Sequence, residues 1–327
     1  MRSLQASAED WPIRGNFTIS RGTKRVAQVV SVAIAEGGHC GRGECVPYAR
    51  YEESVSGVLA QIESLRTRIE AGLDRAQLQE DCPPGAARNA LDCALWDLEA
   101  KKAGLPVWRL AGLPEPAPCI TAYTLSVDTP MAMGRAAEQA RGFPLLKLKL
   151  AREAVLDSVA AVHRAAPGAR LIVDANEAWD LDLLREAAPR LHELNVALIE
   201  QPLPASEDEE LAGIACPVPL CADESCHGLD GLPRLRERYQ YINIKLDKTG
   251  GLTAAPALAH AAAAEGFGLM VGCMVGTSLA MAPAVLLAGM AKFVDLDGPL
   301  LLERDRVMAL HYGEGGILHP PAPGLWG

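Results

Sequence analysis

The sequence predicts an α/β protein in which a (β/α) barrel follows a smaller α+β unit, and three observations predict it. The chain has 327 residues, enough for one large domain or two ordinary ones with a hydrophobic core. From Ile120 onward, short apolar segments begin every 22 to 27 residues, with alanine- and leucine-rich helical stretches between them. The first hundred residues differ, because a hairpin pattern precedes helical patterns there.

The N-terminal unit reads as a hairpin followed by helices. Residues 26–34 alternate loosely between apolar and small or polar side chains, the turn GGHCGRG follows, and GECVPY resumes an extended pattern. Helical periodicity predicts helices at about 52–70 and about 85–103. An antiparallel sheet followed by helices is typical of an α+β module. Residues 111–118, with three prolines and a glycine, predict a linker between units at 1–112 and 119–299.

The second unit contains eight predicted strands. Strands and helices that alternate at this spacing form parallel βαβ crossovers, and eight of them can close into a barrel. An open doubly wound sheet is the alternative, although no G-x-G-x-x-G motif follows a strand to support its dinucleotide-binding version. The predicted strands lie in the segments 120–127, 145–150, 171–176, 197–202, 219–225, 242–247, 269–274 and 293–298.

Composition argues against several classes of partner and location. The 31 basic and 41 acidic residues give a net charge of −10 with no basic block, which argues against nucleic-acid binding. The stretch 266–291 has no charged residue but contains five glycines, so we expect a buried strand and helix instead of a membrane span. The N-terminus lacks a secretory signal and the nine cysteines are an odd number, so we expect reduced thiols and a cytoplasmic location.

Polar or charged residues end most of the predicted strands. The carboxyl ends of the strands form the active-site face of a barrel, and charges buried there are costly unless paired or coordinated. Each residue alone has an ordinary explanation, such as an edge strand for a K-x-K pattern or a helix N-cap for a single aspartate. The combination predicts a site built from Thr124, Lys147, Lys149, Asp174, Glu200, Asp223, Lys245, Cys273, Asp295 and Asp297.

Three of these residues form a candidate metal site. Asp174, Glu200 and Asp223 end consecutive strands, so their oxygens can converge on one divalent cation. Oxygen ligands without histidine or cysteine favour Mg²⁺ over zinc. Asn176 is a candidate support for this site. We expect Glu224 to point to the other side of its strand and therefore not to be a ligand.

The remaining charged residues predict a two-base reaction on a zwitterion. Lys149 and Lys245 end strands four apart, so they face each other across the pocket. The pair Asp295 and Asp297 lies opposite the central metal strand and favours a cationic group. Removing the hydrogen α to a metal-held carboxylate creates an enediolate that Mg²⁺ and Lys147 can stabilise. A lysine base with magnesium is the general pattern of enolase-type sites, and one lysine on each face gives epimerisation.

These residues lie within longer motifs that resemble the dipeptide epimerases of the enolase superfamily, particularly the bacterial L-Ala-D/L-Glu epimerases. The K-x-K pattern followed by Asp, Glu, Asp and Lys on successive strands is typical of the superfamily, and the final D-x-D is typical of its dipeptide epimerases. The similar segments run almost end to end and are FTISRG, GECVPYARYEES, GAARNALDCALWDLEAKKAG, LKLKL, LIVDANEAW, LIEQPLPA, CADESCH, NIKLDKTGG, GCM and DLDGP.

The resemblance implies a fold and a role for each site residue. The fold is a modified (β/α)₇β barrel with an α+β capping domain, which we expect the segment 300–327 to complete. The resemblance also implies an isomerase with one Mg²⁺ per subunit. The implied roles are acid/base for Lys149 and Lys245, contact with the substrate carboxylate for Lys147, metal ligation for Asp174, Glu200 and Asp223, ammonium binding for Asp295 and Asp297, lining for Thr124, Cys273 and Val275, and binding of a glutamate side chain for Arg21. Lys248, a rival to Lys245, is expected in a loop beyond the pocket.

The implied substrate is L-Ala-D-Glu released from peptidoglycan, which the enzyme would convert to L-Ala-L-Glu for recycling. Another dipeptide, or another superfamily reaction such as cycloisomerisation or dehydration, is the enzymatic alternative. A peptide- or metal-binding protein on a barrel without activity is the other class. The sequence leaves open whether the chain forms a homo-oligomer.

Overall fold

An antiparallel sheet of three strands forms the base of the N-terminal unit. The computed structural model describes residues 1–327. The strands are β1 (Ser3–Ile19), β2 (Gly22–Glu36) and β3 (His39–Cys45), in that order. The predicted hairpin is confirmed as β2 and β3, whereas β1 was not predicted. Only Leu4 and Ile13 of β1 are buried, so this strand has no alternating apolar pattern to detect.

Five helices follow the sheet, and the fourth packs directly on it. They are α1 (Val55–Ser64), α2 (Arg66–Glu70), α3 (Arg75–Asp81), α4 (Ala86–Ala103) and α5 (Val107–Leu110). The predicted helix at 52–70 is divided at Leu65, and the one at 85–103 is α4. Gly41 and Gly43 of β3 allow the close packing, because a Cβ at either position would overlap a carbonyl oxygen of α4.

Eight parallel strands form the second sheet. The short strand β4 (Cys119–Ile120) precedes them. The sheet order follows the chain order without interruption, and Ala122 N, just before the first strand, donates to Val294 O of the last strand at 2.8 Å. The strands are β5 (Tyr123–Leu125), β6 (Leu145–Lys149), β7 (Arg170–Asp174), β8 (Val196–Glu200), β9 (Leu220–Ala222), β10 (Tyr241–Ile244), β11 (Gly268–Gly272) and β12 (Phe293–Asp295).

Helices connect most of these strands. They are α6 (Pro130–Gln139), α7 (Val155–Ala165), α8 (Leu181–Glu193), α9 (Leu232–Leu235), α10 (Leu246–Thr249), α11 (Ala255–Ala264) and α12 (Ser278–Val285). Between β8 and β9 the connection has only a 3₁₀ turn at Asp208–Leu211. All eight predicted strands are present, and their sequential order excludes the open doubly wound alternative, which requires a reversal of strand order. The predicted barrel with an N-terminal α+β unit is therefore confirmed.

The C-terminal segment returns to the N-terminal unit. After the last barrel strand, β13 (Ile317–Leu318) pairs with β4. Near the end of the chain, Trp326 Nε1 donates to Cys93 O at 3.0 Å and Gly327 N donates to Asp97 Oδ1 at 2.8 Å. These contacts support the proposal that 300–327 completes the capping domain. The boundaries 1–112 and 119–299 stay a prediction.

The uncharged stretch 266–291 is a strand and a helix, as predicted. It contains β11 and α12, and most of its residues are buried. No helix in the structure combines the length and the apolar character that crossing a membrane requires.

Candidate active site

A cavity of about 470 Å³ lies at the carboxyl ends of the barrel strands, under the β1–β2 hairpin. Nine of the twelve predicted site residues line it, namely Arg21, Thr124, Lys149, Asp223, Lys245, Cys273, Val275, Asp295 and Asp297. The other three, Lys147, Asp174 and Glu200, are at most 1% exposed. Lys147 and Asp174 contact Asp295 and Lys149 of the cavity wall, and Glu200 contacts Lys147. The structure therefore brings all twelve into one region, because alternate positions at neighbouring strand ends point to the inside of the barrel.

The three predicted metal-binding carboxylates share one arrangement, in which the protein fixes one oxygen of each. The hydrogen bonds run from Asn176 N to Asp174 Oδ1 (2.9 Å), from Asn243 Nδ2 to Glu200 Oε1 (2.7 Å) and from Lys248 Nζ to Asp223 Oδ1 (2.7 Å). These donors orient the carboxylates and leave the second oxygen of each for other partners in the site.

Lysine ammonium groups lie against those second oxygens. Lys149 Nζ is 2.5 Å from Asp174 Oδ2, and Lys245 Nζ is 2.6 Å from Asp223 Oδ2. Lys147 Nζ is 2.6 Å from Glu200 Oε2, which makes no hydrogen bond of good geometry. Positive and negative charges thus alternate across the floor of the site.

The electrostatics of the floor fit a cation. Burial and the nearby charges of Asp174 and Asp223 raise the pKa of Glu200 to about 7. Like charges this close are relieved by a divalent ion, and oxygen-only donors suit a hard one. The three carboxylates do not converge into a closed ligand shell in this structure. The donor set, its fixed orientation and its like charges are therefore the features that fit a metal.

The two predicted acid/base lysines lie on opposite sides of the cavity. Lys149 ends β6 and Lys245 follows β10, and these two strands are four positions apart in a closed sheet of eight. Burial disfavours the charge on Lys245, but the carboxylates of Asp223 and Glu200 outweigh it and raise its pKa well above the ordinary value. Each lysine touches a different carboxylate, so the two amines occupy separate environments.

Two further carboxylates line the far wall, at the end of β12. Asp297 Oδ2 accepts a hydrogen bond from Thr124 N at 2.6 Å. Asp295 Oδ2 lies 2.7 Å from Lys147 Nζ, while its buried Oδ1 has no partner. Burial and the adjacent Asp295 raise the pKa of Asp297 to about 7. This wall therefore has a carboxylate oxygen without a hydrogen-bond donor, and a cationic donor would stabilise it.

Arg21 reaches the cavity from the turn between β1 and β2, but the protein already uses its donors. Nη1 donates to Asn176 O at 2.8 Å, and Nη2 donates to Tyr48 Oη at 2.8 Å and to Glu224 Oε1 at 2.7 Å. Lys24, on the same hairpin, also lines the cavity and has no acidic partner. Burial and the charge of Arg21 lower the pKa of Lys24. Arg21 thus fixes the hairpin to the barrel, whereas Lys24 is an unpaired cation.

Two expectations about neighbouring residues were wrong. Glu224 lines the cavity instead of pointing away, because β9 ends at Ala222 and alternation no longer applies beyond it. Lys248 lies in α10 and not in a loop, and its buried ammonium also donates to Asp223 O and Asn243 O. The position of Lys248 about one helical turn after Lys245 was the sequence signal that could have placed it near the site.

Other contributors were missed because the sequence carries no pattern for them. Asn243 and Tyr48 become relevant only through the register of neighbouring strands and the docking of the hairpin. Cys273 lines the cavity as predicted, and burial raises the pKa of its thiol well above the ordinary value. Cys273 therefore contributes a neutral thiol to the wall.

Comparison with known families covers nearly the whole chain. Residues 1–112 match the mandelate racemase / muconate lactonizing enzyme N-terminal domain, and residues 132–325 match the enolase C-terminal domain-like family. The L-Ala-D/L-Glu epimerase of Escherichia coli (strain K12) is 46% identical over 97% of this chain and 99% of its own length. An N-acetyl-D-glutamate racemase from Pseudoalteromonas sp is 49% identical over 91% of this chain and 95% of its own length.

Solved structures give the same result. An enolase family member from Agrobacterium tumefaciens, with bound sodium and L-Ala-L-Glu, superposes with a TM-score of 0.97 at 51% identity over all of both chains. A dipeptide epimerase from Enterococcus faecalis, complexed with Mg and L-Leu-L-Tyr, superposes with a TM-score of 0.91 at 29% identity over 99% of this chain and 98% of its own. The chain therefore belongs to the enolase superfamily and, within it, to the family of isomerases that contains the dipeptide epimerases.

Proposed function

We propose that this enzyme epimerises L-Ala-D/L-Glu-type dipeptides at the α-carbon of the C-terminal residue, by 1,1-proton transfer between two lysines, in the recycling of peptidoglycan peptides. The observation that carries the proposal is the placement of Lys149 and Lys245 on opposite sides of one cavity, with the carboxylates of the floor between them. Two proton-transfer groups on opposite faces of one carbon are what inversion requires.

Asp174, Glu200 and Asp223 would hold one Mg²⁺ per subunit, supported by the three fixed donors behind them. When bound, the metal supplies a Lewis acid that anchors the substrate carboxylate and offsets the charge that develops on it. The solved relatives with sodium or magnesium support cation binding at such a site.

The proton transfers belong to the chain's own residues. One lysine, in its neutral form, takes the α-proton onto Nζ as the C–H bond breaks. The other lysine, as an ammonium, donates a proton to the opposite face of the same carbon. Lys147, which is buried between Asp174, Glu200 and Asp295, contributes positive charge next to the substrate carboxylate.

The far wall would bind the N-terminal residue of the dipeptide. Its ammonium group has three N–H donors, and Asp295 and Asp297 supply carboxylate acceptors, one of which has no partner in the protein. Thr124, Cys273 and Val275 line the space around this group. Charge complementarity at this wall is the feature that favours a free amino terminus over an N-acyl group.

The glutamate side chain would meet the cations of the hairpin. The family resemblance assigns this role to Arg21, but each terminal nitrogen of Arg21 already donates to protein acceptors. Lys24 lines the same cavity without an acidic partner, so we propose that it receives the side-chain carboxylate while Arg21 orders the hairpin.

Lys24→Met is expected to raise the KM for L-Ala-L-Glu about threefold to fivefold and to leave the KM for a dipeptide with an uncharged C-terminal side chain nearly unchanged, because one exposed ion pair is lost. Steady-state kinetics on both substrates measure this. Arg25→Met is the matched control, since Arg25 is the next residue of the hairpin and does not line the cavity. Equal KM values for Lys24→Met and the wild type would return the role to Arg21.

Racemisation of an N-acylated glutamate is a second candidate function, and the 49% identical racemase favours it. The two substrates share the N-acyl-glutamate core and differ in the ammonium group that the far wall would bind. The acidic pair Asp295 and Asp297 favours the dipeptide, because neither carboxylate gains a cationic partner from an acetyl group.

In D₂O with Mg²⁺, L-Ala-D-Glu and L-Ala-L-Glu are each expected to gain one α-deuterium at the Glu residue while they interconvert. NMR and mass spectrometry follow the label and the stereochemistry together, with N-acetyl-D-glutamate and N-acetyl-L-glutamate measured in parallel. Faster turnover of the N-acetyl compounds would favour the second candidate. No exchange with any dipeptide or N-acyl amino acid would reject both.

A further inference from the structure

Glu44 is a buried carboxylate outside the site described above. It lies on β3 and is 1% exposed. Its oxygens accept hydrogen bonds from two other parts of the chain: Oε1 from Thr277 N (2.8 Å), and Oε2 from Thr277 Oγ1 (2.5 Å) and from Arg306 Nε (3.0 Å) and Nη2 (2.6 Å). A charge buried this deeply persists because Arg306 neutralises it and every oxygen is used.

The hydrogen bonds from Thr277 hold the segment 273–277, which connects β11 to α12. Thr277 is the N-cap of α12, so its position fixes where that helix begins. The preceding residue, Gly276, packs on the carboxylate itself, since a Cβ there would lie 3.1 Å from Glu44 Oε1. Cys273 and Val275 of the same segment line the active-site cavity. Glu44 therefore contacts the same connection between β11 and α12 that forms part of the cavity wall.

The same segment contacts the backbone next to Asp297. Gly298, which follows Asp297, packs against it so closely that a Cβ at Gly298 would lie 3.1 Å from both Gly276 N and Met274 O. The segment is therefore in contact with both Glu44 and Gly298. A shift of the segment would change the distance between the two walls that face the N-terminal residue of a bound dipeptide.

We propose that Glu44 is a positioning residue that, with Arg306, sets the segment 273–277 against Asp297 and thereby determines how the N-terminal residue of the substrate fits. This inference rests on the proposed function for its substrate, but not for its structural effect. It gives the capping sheet a role in specificity through a residue that touches no substrate.

The test compares Glu44→Gln with Asp97→Asn. Glutamine keeps the shape but removes the charge and one acceptor oxygen. Asp97 is a matched control, because it is also a buried carboxylate that joins the N-terminal unit to the C-terminal segment, through Gly327 N, and it lies outside the cavity. Arg306→Met is a second variant that reaches the same network from its more exposed side, in case Glu44→Gln does not fold.

Two measurements separate positioning from a purely structural role. Amide hydrogen exchange across 273–279 in the ligand-free protein is expected to quicken about tenfold in Glu44→Gln and less in Arg306→Met, and to be unchanged in Asp97→Asn. The KM for L-Ala-L-Glu is expected to rise about tenfold in Glu44→Gln with kcat within about twofold of the wild type.

Wild-type exchange and KM in Glu44→Gln, together with a lower Tm, would overturn the inference. Faster exchange with an unchanged KM would also overturn it, because the segment would then move without affecting the substrate. If the wild-type protein has no dipeptide activity, the proposed function fails, while the exchange data still decide whether Glu44 holds the segment.

Discussion

Replacing either Lys149 or Lys245 with alanine is expected to abolish two-way epimerisation, with a loss of at least about 10⁴-fold in turnover. Each lysine is the proton-transfer group on its own side of the cavity, since β6 and β10 lie four strands apart in the barrel. Neither can reach the opposite face of the α-carbon. Both are buried next to a carboxylate, so water does not readily replace the missing amine.

The same variants are expected to retain one half of the reaction. The lysine that remains can still remove a proton from one stereoisomer and return it to the same face. In D₂O each variant should therefore exchange the α-hydrogen of one stereoisomer without inverting it, and the two variants should select opposite stereoisomers. NMR on separate samples of L-Ala-D-Glu and L-Ala-L-Glu measures this selectivity.

Lys292→Ala is the control for these variants, because Lys292 is an exposed lysine of the barrel that does not line the cavity. It should turn over both stereoisomers at the wild-type rate. Full interconversion by Lys149→Ala or Lys245→Ala would show that the lysine concerned is not an acid/base group. Loss of all exchange in both, in proteins with wild-type Tm, would show that neither lysine exchanges a proton without the other and would contradict the two independent half-reactions.

The barrel was predictable from sequence because its signal is local. Each strand is a short apolar run at regular spacing, and a charged residue at its end marks the active-site face. The first strand of the chain, β1, gave no such signal, since one side faces solvent and only Leu4 and Ile13 are buried. Both β-propensity and the alternation of apolar residues reflect burial. A strand with few buried residues is therefore missed.

The candidate site was predictable only as far as the strands extend. Lys149 and Asp174 lie within β6 and β7, where the two-residue period fixes the direction of each side chain. Glu224 lies beyond the end of β9, and the same rule gave the wrong side for it. The hairpin contacts of Arg21 depend on the docking of one unit on another, which no local pattern encodes.

Asp297→Asn is expected to lower kcat/KM about 100-fold for L-Ala-L-Glu and less than about threefold for N-acetyl-L-glutamate. Removing one carboxylate from a buried charge pair costs about 2–5 kcal/mol, and only the dipeptide has the ammonium group that uses it. Asp297 accepts from Thr124 N in the free protein, and asparagine can keep that hydrogen bond through its carbonyl oxygen. The variant should therefore keep the wall in place while it loses the charge.

The pH dependence of dipeptide affinity gives an independent check. Burial and the adjacent Asp295 raise the pKa of Asp297 to about 7, so the carboxyl group is protonated and neutral below that pH. With saturating Mg²⁺, which keeps Glu200 ionised, wild-type affinity for L-Ala-L-Glu should fall as the pH decreases through 7, and Asp297→Asn should lack this step. Asp128→Asn, at an exposed aspartate outside the cavity, should behave as the wild type. Equal losses for the dipeptide and the N-acetyl compound would show that the acidic pair does not bind ammonium, and the N-acylglutamate racemase would then be the better description.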